Sequence, residues 1–200
     1  MSKLEDLMIS RVRVKVLELF FQNTTELYYV REITRLVKEE INAVRRELDR
    51  MLGFGLLKSE QRGNRLYYQL NPRYRFFQEL RQMIAKTTGL GADIYQLRRK
   101  LGTLNFVMFS SKFAGGQPPQ QGEVDVLVVG DVVLSELEVL IKKEQEKLGR
   151  EINYAVFNLE EFTFRKTRRD PFIMDVLYLG RVMIIGSETE FAERRIPGVS

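Results

Sequence analysis

Apolar residues near the start of the chain recur at helical spacing. Leu7, Met8, Val12, Val16, Leu17 and Phe20 share one stripe and predict a helix over residues 4–22, closed by Asn23-Thr24-Thr25. A short apolar stretch, Leu27-Tyr28-Tyr29-Val30, follows. From residue 31 to 52 the stripe is Ile33, Val37, Ile41, Val44, Leu48 and Met51, with no Gly or Pro inside it, and periodicity predicts one continuous amphipathic helix. Gly53 and Gly55 stop it. Residues 56–61 and 65–70 read as strands around Arg62-Gly63-Asn64, where Gly and Asn accept positive φ, so a hairpin is expected that ends at Asn71-Pro72. Residues 75–85 form another helix with Phe76, Phe77, Leu80, Met83 and Ile84 on one side, and Thr87-Thr88-Gly89-Leu90-Gly91 marks a boundary.

Beyond that boundary helical and strand patterns alternate. Residues 92–101 read as helix, 105–109 as strand, and 115–122, Gly-Gly-Gln-Pro-Pro-Gln-Gln-Gly, as loop. Residues 124–129 form a β run, and residues 135–148 a helix with Ser135 as N-cap and Glu138 completing a capping box. A strand over 152–157, a helix capped by Asn158 with Glu161, a helix over 171–179 and a last strand over 182–185 complete the chain. Such alternation predicts an α/β layer.

Composition narrows the chemistry. The 200 residues include no cysteine and no histidine, which removes disulfides, thiol redox chemistry and the usual zinc sites, and suits a cytoplasmic protein. Apolar runs such as residues 126–129 fall far short of the roughly 20 residues that span a bilayer, so no membrane association is expected. The acidic opening, Met1-Ser2-Lys3-Leu4-Glu5-Asp6, lacks the apolar core of a signal peptide. Net charge is +5 but uneven: residues 1–86 hold 17 Lys+Arg against 11 Asp+Glu, and residues 87–200 hold 15 against 16. A basic first half points to a polyanionic partner; the plain alternative is a solvated surface.

The run Tyr29-Val30-Arg31-Glu32-Ile33, then Val44-Arg45-Arg46-Glu47-Leu48, Met51, Gly55-Leu56-Leu57 and Arg62-Gly63-Asn64-Arg65-Leu66-Tyr67-Tyr68-Gln69-Leu70-Asn71, resembles the winged helix of arsenic-repressor-type regulators over about residues 10–71. The resemblance implies that residues 31–52 break into two helices near Val37–Lys38, against the periodicity, although no small residue or glycine stands there; tertiary packing overrides local pattern. In the second of these helices Ile41, Val44, Leu48 and Met51 face the core. Asn42, Arg45, Arg46 and Asp49 share the opposite face, which suits the major groove, where Arg reads guanine and Asn reads adenine. Arg62, Asn64 and Arg65 lie on the wing, for phosphate or minor-groove contact. Metal sensing through Cys and His, common in that family, does not carry over.

The run Val107-Met108-Phe109-Ser110-Ser111-Lys112-Phe113-Ala114-Gly115-Gly116, followed by Glu123-Val124-Asp125-Val126-Leu127-Val128-Val129-Gly130, resembles the minimal nucleotidyltransferase fold. In that family a Gly-Ser loop precedes a strand bearing two aspartates one residue apart, which point the same way and hold divalent metal together with a third carboxylate on a later strand. Here Ser110 replaces the loop glycine, Glu123 replaces the first aspartate, and Asn153 stands where the third carboxylate is needed, with Glu151 a weak substitute. Glu123 and Asp125 are therefore either surface acids or a relic metal site. The implied nucleotide contacts are Ser110, Ser111, Lys112, Gly115 and Gly116.

The expected architecture is a two-domain α+β and α/β chain. A winged helix-turn-helix with its linker helix occupies residues 1–87, and a nucleotidyltransferase-like mixed sheet with flanking helices occupies 88–200. The expected function is a DNA-binding transcriptional regulator with an inactive transferase-like domain. It would act on double-stranded DNA as a homodimer, with a nucleotide as a conceivable ligand and no required cofactor. Two alternatives stand beside it: an active Mg-dependent nucleotidyltransferase targeted or autoregulated by its winged helix, and a protein-interaction module. The apolar stripes of residues 4–22 and 76–84 are the expected dimer seam.

Overall fold

The computed structural model describes residues 10–120 and 122–193. The chain is a mixed α/β protein with two separate sheets, and it divides into two compact units, residues 1–87 and 88–200. Among the described residues no helix is long and apolar enough to cross a membrane.

The first unit runs α1 (Arg11–Gln22), β1 (Tyr28–Tyr29), α2 (Val30–Val37), α3 (Ile41–Gly53), β2 (Leu57–Arg62), β3 (Arg65–Leu70) and α4 (Phe77–Thr87). The strands form an antiparallel sheet in the order β1-β3-β2. Residues 31–52 are two helices, as the resemblance implies and the periodicity does not. Lys38, in the left-handed conformation at φ 54°, ends α2 in the place where glycine or asparagine is usual. Lys15 on α1 holds this turn from outside: its Nζ donates to Glu39 Oε1 at 2.6 Å and to the Val37 carbonyl at 3.2 Å.

Val14, Leu17, Phe20 and Phe21 of α1 are buried in one core with Ile33, Val44, Leu48, Met51 and Tyr68, joined by Phe77 and Ile84 of α4. The two apolar stripes expected to form a dimer seam are thus largely consumed inside this unit. Phe76 is left exposed, and Leu4, Leu7 and Met8 lie outside the described residues.

The second unit runs α5 (Gly89–Leu97), β4 (Gly102–Ser110), α6 (Ser111–Ala114), β5 (Val126–Val132), α7 (Leu134–Leu148), β6 (Tyr154–Phe157), α8 (Leu159–Thr167), α9 (Pro171–Tyr178), β7 (Arg181–Ile185) and α10 (Glu188–Ala192). Its sheet order is β6-β5-β4-β7, with β5 and β6 parallel and the other pairs antiparallel. The central strand is buried on both faces. Leu127 and Val129 share a cluster with Phe162, Ile173, Val176, Met183 and Phe191, while Val126 and Val128 are buried on the opposite side. At one end of the β4–β5 pair the backbones nearly touch. A Cβ on Gly102 would lie 2.1 Å from the Asp131 carbonyl oxygen, and one on Gly130 would lie 2.0 Å from that of Thr103.

The helix expected over 92–101 spans Gly89–Leu97 instead, and two further local expectations fail. Ser135 does not cap α7. The helix begins at Leu134, with Val133 as a cap that lends no side chain, because pairing with β4 carries extended backbone through Val133, whose N–H donates to the Leu101 carbonyl at 2.9 Å. The strand expected over 124–129 starts only at Val126, so Glu123 and Asp125 precede it and the strand rule for i and i+2 does not govern them.

Candidate functional site

Each unit carries its own candidate surface. In the first, α3 is held from behind by buried Val44, Leu48 and Met51, with Ile41 half-buried, and turns Asn42, Arg45, Arg46 and Asp49 to solvent. Arg45 and Arg46 form no ion pair or hydrogen bond with any described residue. Glu47 fixes the helix to α1. Its buried carboxylate, 4% exposed, accepts from Ser10 Oγ at 2.8 Å, Arg13 Nε at 2.8 Å and Arg50 Nη1 at 3.1 Å. Burial opposes ionisation there, but the hydrogen bonds from Ser10 and Arg13 and the charges of Arg13 and Arg50 outweigh it and hold Glu47 below the ordinary carboxyl range. At the start of α3 the Glu40 carboxylate accepts from the Asn42 and Ala43 backbone N–H groups at 2.8 and 2.9 Å, which lowers its own pKa.

The β2–β3 hairpin closes on a two-residue turn in which Gly63 has φ 56°, so a type II′ geometry needing glycine first is satisfied. Arg62, Asn64 and Arg65 are exposed at this tip. Arg62 is engaged by Glu60 through two hydrogen bonds, at 3.1 and 3.2 Å, and Arg65 lies 4.7 Å above the Tyr29 ring, so both guanidiniums are pre-positioned. Tyr29 was not legible as a support residue, since only the sheet register brings it beside Tyr67 and under Arg65.

In the second unit the loop after β4 is spent on itself. The Ser110 N–H donates to the Asp125 carbonyl, Ser111 to that of Gly180, Phe113 to Ser110 Oγ, Gly115 to the Ser111 carbonyl and Gly116 to that of Phe113, at 2.8 to 3.1 Å. These groups of the expected phosphate cradle are therefore already bonded. Lys112 Nζ binds both oxygens of Glu123 at 2.8 and 2.7 Å, and Glu123, which also accepts from the Gln120 N–H, is held below the ordinary carboxyl range by the Lys112 hydrogen bond first.

Asp125 is fully buried, not a surface acid. Its Oδ2 accepts from Arg150 Nη1 at 3.0 Å and the Asn153 N–H at 3.1 Å, while Oδ1 is buried without a hydrogen-bond partner. Arg150 also donates to the Gln117 and Glu151 carbonyls and lies 5.6 Å from the Phe113 ring, so it clasps the loop. Nothing in the sequence links Arg150 to Asp125, 25 residues away. The carboxylates a divalent metal would need are each held by a side-chain cation, and the Asn153 amide, which donates to the Glu123 carbonyl at 3.3 Å, adds no charge. The residues do not fit the metal implied by the resemblance, and among the described residues no group of three His, Cys, Asp or Glu could hold one.

Beside this loop is a cavity of about 300 Å³, bounded by Met108, Ser110, Glu123 and Val124 on one side and by α9 residues and Leu179 on the other. A smaller one, about 240 Å³, reaches Lys166, whose Nζ donates to the Phe191 carbonyl at 2.9 Å and whose pKa burial pushes down.

No protein-family model and no curated protein sequence matches the chain. Among solved structures, human N-acetylserotonin methyltransferase in complex with SAM is similar at a TM-score of 0.29 and 16% identity, over 50% of this chain and 33% of that one. The chain thus spans about a third of that protein's length, and likeness of this degree carries no argument about fold or activity.

Proposed function

We propose that this chain is a DNA-binding transcriptional regulator whose first unit is a winged helix and whose second is a nucleotidyltransferase-like domain that does not transfer nucleotides. One observation carries the reading: α3 presents Asn42, Arg45 and Arg46 together on its exposed face, with both arginines unpaired and the helix braced from behind through Glu47. A guanidinium that projects from a fixed helix without an internal ion pair or hydrogen bond is suited to base edges and phosphates of the major groove. The element order, the β1-β3-β2 sheet and the exposed arginine hairpin support the winged-helix assignment. The excess of cations in residues 1–86 supports a polyanionic partner over a protein one.

The ion pairs on Glu123 and Asp125 weigh against the transferase alternative. Homodimerisation rests on the pairing of half-sites usual for small DNA readers, not on the α1 and α4 stripes. Light scattering at micromolar concentration tests it; a monomeric mass removes it. DNA binding is tested by anisotropy of labelled genomic fragments over a range of salt concentrations. Affinity that is insensitive to salt, or absent at low salt, overturns the assignment.

A further inference from the structure

The helix α9 reads Pro-Phe-Ile-Met-Asp-Val-Leu-Tyr, and its one charge is Asp175. Phe172, Asp175, Val176 and Leu179 fall at i, i+3, i+4 and i+7 and all line the 300 Å³ cavity, so the carboxylate stands in the middle of an otherwise apolar face. Asp175 is solvent-exposed at the mouth of this cavity, and its carboxylate has no ion pair or hydrogen bond from any described residue. The opposite wall adds the buried apolar side chains of Met108 and Val124.

The other charges at this cavity cancel. Glu123 is neutralised by Lys112, and Arg181 is engaged by Glu188 while its Nη1 also donates to the carbonyls of Val176 and Leu177 at 3.0 and 2.9 Å. The cavity therefore presents an apolar floor and one uncompensated negative charge. Its volume is at the lower end of small-molecule sites, about 300 to 1,000 Å³. A polyphosphate would find no free cation and no free loop N–H among the groups described above. An apolar body with a protonated amine would bury its hydrocarbon against Met108, Val124 and Val176 and give Asp175 a charge-assisted hydrogen bond. The Phe172 ring supplies a further attraction for a cation.

We propose that this cavity is a binding site for a small apolar, frequently aromatic, primary amine, and that it discriminates against nucleotides. The proposal does not rest on the DNA-binding reading, since binding is read directly.

The test is a methyl NMR titration of the full chain with 2-phenylethylamine, its neutral analogue 2-phenylethanol, the anion 3-phenylpropionate, and ATP. The amine is expected to shift the methyl signals of Met108, Val124, Val176 and Leu179 saturably, with roughly tenfold higher affinity than the alcohol. The propionate and ATP should leave these signals in place. Asp175→Asn should reduce amine affinity about tenfold while leaving alcohol binding unchanged. Equal binding of amine and alcohol, amine affinity unaltered in D175N, shifts confined to other methyls, movement of the same methyls by ATP, or no saturable shift at millimolar amine would each overturn the proposal.

Discussion

The Arg150 guanidinium donates to the Oδ2 atom of a fully buried Asp125 at 3.0 Å, at the carboxylate that the resemblance makes one half of a relic metal site. The pair also ties the Gln117 carbonyl to the start of β6 through Arg150 and Asn153, so it serves the loop's architecture. Removing Arg150 leaves the buried Asp125 carboxylate uncompensated, and removing Asp125 unties the partly exposed Arg150 and the Asn153 N–H. Asp125→Ala and Arg150→Ala should each cost about 3 kcal/mol in chemical denaturation, and the double variant distinctly less than their sum. Additive losses would show that the two do not act as a pair.

No nucleotidyl transfer is expected with any labelled nucleoside triphosphate and Mg²⁺ or Mn²⁺, because neither carboxylate is free to hold metal against the phosphates. Release of pyrophosphate that disappears in Glu123→Gln, a change on a partly exposed side chain that leaves the Asp125 pair intact, would restore the enzyme alternative.

The roles of Arg45 and Arg46 separate by their salt dependence. If one contacts phosphate, its alanine variant lowers the slope of log K against log salt by about one and weakens all sequences alike. If it reads a base, the variant costs about 1–3 kcal/mol on the preferred sequence and keeps the slope. Unchanged affinity and slope in both variants would remove α3 from the interface.

Much of this surface was legible in the sequence because surface faces follow from helical spacing alone: Asn42, Arg45 and Arg46 are exposed as a set, as expected. The break at Lys38 was legible only through the resemblance and not in the spacing, because Val37 and Ile41 remain four residues apart and the stripe passes unbroken across a non-helical turn. The burial of Asp125 depends on Arg150 and Asn153 arriving on the segment that leads into the parallel strand β6, which no local pattern encodes. By contrast, Asp175 as the lone charge of an apolar helix was visible in the residues and passed over, because its meaning depends on the cavity beside it.

A lysine in the left-handed region costs about 1–2 kcal/mol relative to its usual conformations. Lys38→Gly removes that strain but adds unfolded-state freedom, so a net stabilisation of up to about 1 kcal/mol is expected in urea melts. A clear loss of stability would mean that the Lys38 side chain makes contacts of its own.

Glu47 gives the first unit a defined acid limit. Its folded pKa is lowered, so its contribution is fully present above the ordinary glutamate range and is lost as pH falls through the lowered folded value. Glu47→Gln should therefore reduce stability at neutral pH by about 2 kcal/mol, with the difference from wild type shrinking in strong acid. A constant difference across the acid range would contradict this linkage.

Val126, Leu127, Val128 and Val129 are all buried, so hydrophobicity alone would accept the β5 strand turned over by one residue. Steric exclusion decides instead. Gly130 faces the Thr103 carbonyl and Gly102 that of Asp131, so sliding the ladder by one step would drive a Cβ into backbone oxygen. Two absent side chains thus work as a key, admitting a single alignment of β4 on β5 at the end where Gly102 and Gly130 lie.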